Sequence, residues 1–197
     1  MTEQDHTQGG QAAAICALAA QLESLRLEVR LLRDRHAIAD VMVRYTHALD
    51  RHDWDALCGE VFHPDAVCDY GFIVGDPRHL CRKLEPIYLQ DYELHYHFIG
   101  NHHSEVQGDT AQAQTYCTTF SLLKGGQGIR SLYIRYLDRL ERRDGIWKIA
   151  LRRMLLDARS EIPASAAPDR ENRWDRSDPA YHRPPQLAPQ RMALWNR

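Results

Sequence analysis

No run of the 197-residue chain is apolar enough to span a bilayer: the longest, AAAICALAAQL (12–22), falls well short of the roughly 20 residues a transmembrane helix needs. The start, MTEQDHTQGG, lacks the basic segment and cleavable small-residue site of a signal peptide, so a cytoplasmic protein is expected. Basic excess is missing too. Lys and Arg number 25 against 27 Asp and Glu, a net charge of −2, which offers no field to attract nucleic acid or an anionic membrane. The five cysteines (16, 58, 68, 81, 117) are odd in number and form no CxxC, so reduced thiols in apolar surroundings are expected rather than a disulfide framework. There is no G-x-S-x-G and no nucleotide fingerprint; KGGQG (124–128) opens no helix and reads as a flexible turn. No cofactor is expected.

What is present is an ordinary single-domain composition, with 44% hydrophobic and 26% charged residues. Residues 1–11 read as disordered. From Ala12 to about Arg51 apolar residues recur at three and four, which predicts helix. Leu22, Leu25, Val29 and Leu32 make one stripe; Ile38, Val41, Met42, Tyr45 and Leu49 make the next. A break near Asp34 would separate a helical arm (12–33) from the domain proper (34–159). A stripe this regular on an arm packs on a neighbouring subunit or on its parent domain, and the reading is a homo-oligomer, a dimer or trimer.

Beyond the arm, Asp53 can cap a short helix in DWDALCGEVF, and AVCDYGFIVG suits one or two short strands. DPRHLCRKLEPIYLQ returns to helical spacing, interrupted by Pro86. Four antiparallel strands follow within 94–158, with turns at Gln107-Gly108-Asp109 and at Asp144-Gly145. From 160 to the end the composition turns rich in proline and arginine. That tail reads as irregular, with Trp174, Tyr181 and Trp195 available to anchor it.

The segment ELHYHFIGNHHSE (93–105) carries four histidines. On a strand, His95, His97, Ile99, Asn101, His103 and Glu105 share one face. A metal site wants three converging ligands, and His95-x-His97 supplies only the first step, so no metal is expected. A general base needs one histidine with a carboxylate to hold its tautomer. His97, in mid-strand, suits that role; a core histidine bonded to a backbone carbonyl is the competing reading.

AIADVMVRYTHALDRHDWDAL, HFIGNHHSEVQGDTAQA and YLDRLERRDGIWKIALRRMLLD, in that order, resemble the SnoaL-like branch of the nuclear transport factor 2-like superfamily. The resemblance implies an α+β cone in which N-terminal helices pack inside a strongly curved antiparallel sheet. It covers roughly residues 33–158. It implies a base at His97, an aspartate partner at Asp50, a pocket tyrosine at Tyr45 and a pocket arginine at Arg152. Asn101 and Tyr96, on the histidine strand, are added as substrate-binding candidates.

Two of these placements conflict with simple geometry. On an ideal helix Asp50 falls about 130° from the centre of the Val41–Tyr45–Leu49 stripe, and turns inward only if the helix ends or tightens near Leu49. Strand alternation puts Arg153, not Arg152, on the face of Ile149 and Leu151, unless a β-bulge intervenes. Both arginines therefore stay candidates.

The expected function is a cofactor-independent lyase or isomerase acting on a small, mostly apolar cyclic or polyketide-like substrate. A non-catalytic ligand- or protein-binding domain and a small β subunit of a ring-hydroxylating dioxygenase are the alternatives. Neither nucleic acid nor membrane is an expected partner.

Overall fold

The structure, a computed structural model, describes residues 3–164 and 173–181, with side chains from Ala14 onward. Trp195, expected as an anchor, lies outside the described residues. Helix α1 (Glu3–Asp50) takes in residues expected to be disordered and passes Asp34 without a break. From Gln11 to Asp50 it holds neither glycine nor proline, so propensity favours one continuous helix. Asp34 is an anchor instead: its Oδ1 accepts from the Trp147 indole N–H at 2.9 Å and from Arg142 Nη1 at 2.6 Å. Beyond that point Ile38, Val41, Met42, Tyr45 and Leu49 are buried as one stripe, whereas the stripe from Leu22 to Leu32 is exposed.

Helix α1 ends on a left-handed residue, His52 at φ 53°. The His52 N–H donates to Leu49 O at 3.1 Å and the Asp53 N–H to Ala48 O at 2.9 Å, satisfying carbonyls that the helix leaves open. Asp53 then caps the short helix α2 (Trp54–Ala56), accepting from the Ala56 N–H, and a wide π-helical turn carries the chain to Val61. Helix α3 (Pro77–Asp91) has Asp76 as N-cap and Pro77 in its first turn, and contains Pro86. It buries Leu80, Cys81, Leu84 and Tyr88.

One curved sheet wraps these helices. Its strands are β1 (Phe62–Asp69), β2 (Val74–Gly75), β3 (Tyr92–Gln107), β4 (Thr110–Leu123), β5 (Ile129–Arg143) and β6 (Ile146–Ile162), ordered β2-β1-β6-β5-β4-β3. The four long strands pair antiparallel, and β1 joins β6 in parallel. Asp144 and Gly145, at φ 52° and 79°, make the tight β5–β6 turn that the sequence signalled.

Two bulges set which side chains face inward. In β3, Gly100 pairs with Tyr116 and His103 with Gln114, so one residue is extra, and Asn101 adopts φ 45° there. His95 and His97 face inward before the bulge, and His102 and Ser104 after it. Asn101, His103 and Glu105 are therefore exposed, against the single face expected from strict alternation. In β6, Arg139 pairs with Leu151 and Leu140 with Ile149, leaving Ala150 as the extra residue. That bulge puts Arg152 inside with Ile149.

The last described segment returns to the C-terminal end of α1. Trp174 stacks on His52 with ring centroids 4.2 Å apart, Arg51 pairs with Asp178 at 2.9 Å, and the Tyr181 hydroxyl donates to Asp53 at 3.1 Å. Among the described residues no helix is long and apolar enough to cross a membrane.

Candidate active site

The cone encloses a cavity of about 90 Å³ walled by Tyr45, Tyr70, Tyr88, Tyr92, Tyr136, His95 and His97 and completed by Thr119 and apolar residues. Phe72 lines it while remaining 68% exposed, and marks the side open to solvent.

His97 and Asp50 meet at this wall. Asp50 Oδ1 lies 2.7 Å from His97 Nδ1 and also accepts the His97 backbone N–H at 3.0 Å. Two features bring Asp50 to this wall, the end of its helix and the edge of the sheet. Helix α1 ends at Asp50, and the His52 N–H closes on Leu49 O at 3.1 Å, three residues back, so the last turn is tightened there as the inward placement of Asp50 requires. Strand β3 is an edge strand, and the curl of the sheet brings that edge around the side of α1. The unpaired edge N–H of His97 finds the carboxylate there. One carboxylate oxygen thus fixes both the backbone and the ring of His97, and the ring proton on Nδ1 leaves Nε2 as the basic nitrogen.

Tyr45 and Tyr70 share a hydroxyl–hydroxyl hydrogen bond of 2.6 Å. Burial raises the pKa of both, and for Tyr45 the nearby Arg152 charge opposes the rise. Arg152 itself does not line the cavity. It is fully buried behind it, with its guanidinium 3.9 Å from the Tyr45 ring centroid and 4.2 Å from that of Tyr136. Its Nε and Nη2 each donate to Asp138 at 2.7 Å.

The remaining sequence candidates lie elsewhere. The Arg153 side chain is 62% exposed and pairs loosely with Asp69 at 3.7 Å. Asn101 is exposed at the β3 bulge. Tyr96 faces away from the cavity, stacked on Phe120 with centroids 6.4 Å apart. These three do not join the site.

Sequence reasoning gave no role to His95, which is 3% exposed and lines the cavity. Its Nδ1 lies 2.6 Å from Ser121 Oγ, and its Nε2 is buried without a hydrogen-bond partner. Its ring stacks on Tyr92 at 5.2 Å and meets His97 edge-on at 4.5 Å. The H-x-H spacing was the available signal, since alternation sends both rings inward. Among the described residues no group of three His, Cys, Asp or Glu side chains is arranged to hold a metal ion.

Burial, reinforced by His97, holds the His95 pKa well below the ordinary 6.5, and burial brings that of His52 down to about 4. As pH falls below 6.5 the unfolded chain takes up protons that the folded chain refuses, so stability drops from there toward pH 4. Thermal melts between about pH 7.5 and 4.5 are expected to show Tm falling through this window. His52→Asn should make the fall shallower, because asparagine tolerates the left-handed backbone and does not titrate. A flat wild-type profile contradicts this assignment.

The fold and its site place the chain among small α+β cone proteins. Residues 30–153 match the profile of the SnoaL-like domain, and the chain belongs to that family. The uncharacterized protein Rv2910c of Mycobacterium tuberculosis is 30% identical over 139 residues, covering 68% of this chain and 93% of its own. Among solved structures, a hexachlorocyclohexane dehydrochlorinase LinA type 2 superposes with a TM-score of 0.65 at 20% identity, covering 72% of this chain and 99% of that one. A protein provisionally named a scytalone dehydratase, from Novosphingobium aromaticivorans, gives 0.61 at 21% identity, covering 69% and 92%. At these identities the structural likeness establishes the fold.

Proposed function

We propose that this protein is a cofactor-independent lyase or isomerase in which neutral His97, oriented by Asp50, removes a proton from a small, mostly apolar cyclic or polyketide-like substrate. The observation that carries the reading is the 2.7 Å Nδ1–Oδ1 bond of a histidine set in the wall of a tyrosine-lined cavity. Dehydrochlorinases and a provisionally named dehydratase among the fold neighbours support the same reaction class.

The proton passes from a substrate carbon, acidified by a carbonyl or by a neighbouring leaving group, to His97 Nε2. The C–H electron pair becomes a carbon–carbon double bond or an enolate. The tyrosines stay protonated, because burial raises their pKa, and the Tyr45–Tyr70 pair has one hydroxyl proton left to offer. That proton goes to a departing hydroxyl or stabilises an enolate oxygen. His95, kept neutral by burial, is paired with Ser121 through Nδ1, and in the tautomer where Nδ1 accepts, its buried, unpartnered Nε2 carries the proton as a second donor in the cavity wall. Arg152 acts through Tyr45 and Tyr136 rather than on the substrate.

The deciding experiment needs no leaving group. Cyclic ketones of one or two rings are incubated with the protein in D2O, and deuterium incorporation next to the carbonyl is followed by NMR. Catalysed exchange that disappears in His97→Ala is the expected result. Thermal stabilisation by these ketones that survives His97→Ala, with no exchange, identifies a non-catalytic binder instead. His95→Phe should keep the ring volume and lower the exchange rate by about 10-fold or more, the loss of one buried hydrogen bond to a charged oxygen.

A further inference from the structure

We propose that the exposed N-terminal half of α1 pairs with a second copy of this chain as a parallel two-stranded coiled coil over residues 15–32. The exposed apolar residues Ile15, Leu18, Leu22, Leu25, Val29 and Leu32 alternate in steps of three and four. In heptad lettering, Ile15, Leu22 and Val29 occupy a, and Leu18, Leu25 and Leu32 occupy d. Two of the three a residues, Ile15 and Val29, are β-branched, and β-branched residues at a with leucine at d favour two parallel strands. In the single chain these six side chains are all more than 40% exposed, so the seam lacks a partner.

Charge selects the same occupant. The g positions are Gln21 and Glu28, and the e positions of the following heptads are Arg26 and Arg33. In a parallel pair each g side chain meets the e′ side chain of the next heptad, which gives Glu28–Arg33 and Gln21–Arg26 contacts twice by symmetry. An antiparallel pair instead sets the e arginines of one strand along those of the other. Among the described residues, neither Glu28 nor Arg33 has an ion pair within the chain to give up.

The helix is ready to receive its partner. Its C-terminal half is already folded into the cone and anchored at Asp34, so the arm extends an existing helix and avoids the nucleation cost that makes short isolated coils marginal. The seam runs about 27 Å at 1.5 Å per residue. Leu27 and Leu31 lie on the far side of the helix, outside it.

Sedimentation of the full chain should give twice the mass of the 22.8 kDa chain, and Leu25→Glu should halve it without loss of far-UV helical signal from the cone. In a Cys16→Ser background, Leu25→Cys should form a covalent dimer on mild oxidation, because residue 25 faces its own copy in a parallel coil. A monomeric wild type overturns the proposal. So does a trimer or larger species, a dimer unaffected by Leu25→Glu, or a Leu25→Cys chain that oxidises without crosslinking. None of these readouts depends on catalysis.

Discussion

Alanine at His97 is expected to lower turnover by about 10²–10⁴-fold, the usual worth of a positioned general base, while leaving the melting temperature within a few degrees of wild type. The effect should fall on kcat more than on KM, because the nitrogen acts on the proton in flight and little on the bound ground state. Added imidazole, small enough for the vacated volume, should restore part of the rate. Asp50→Asn tests the same dyad from the other side. The amide can still accept the His97 backbone N–H, but it no longer supplies a charge at the Nδ1–H, so the wrong tautomer becomes populated and an imidazolium loses its partner. A loss comparable to that in His97→Ala is expected. Wild-type turnover in either variant would remove proton abstraction by this pair from consideration.

The parts of this arrangement differ in how far local sequence could disclose them. The second stripe of α1, the capping of α2 and α3, the four long strands and the Asp144-Gly145 turn are local features, and periodicity and turn chemistry declare them. Asp50 is different. It reaches His97 where its helix ends and a distant edge strand curls round to meet it, and no local pattern encodes that curl. The two bulges raise the same difficulty: one extra residue at Asn101 or Ala150 reverses which side chains point inward in the stretch beyond it. The sequence posed the Arg152–Arg153 conflict and named a bulge as its remedy, but register is fixed only by pairing with β5. Asn101 was misplaced for want of the same information. Arg152 faces inward, and there it is engaged by Asp138, a partner no spacing rule would have paired with it.

Asp138 and Arg152 carry the largest stability effect expected in the molecule. Both side chains are 0% exposed, and the carboxylate takes two 2.7 Å bonds from the guanidinium. Removing one member leaves the other as an unpaired charge in an apolar interior. Arg152→Met should therefore destabilise the fold by about 3–5 kcal/mol, read as a lower urea midpoint at constant slope. Replacing both, as Arg152→Met with Asp138→Leu, should recover most of that loss, since a buried ion pair contributes little net stability over well-packed hydrophobes. Activity should not recover with it. The guanidinium lies against the Tyr45 and Tyr136 rings, and its charge opposes the burial that makes the Tyr45 hydroxyl a poor proton donor. In the double variant that opposing charge is gone, so the rate should stay depressed although the protein is folded. A double variant that regains both stability and turnover would show that Arg152 only fills space, and the acidity of Tyr45 would then owe nothing to it.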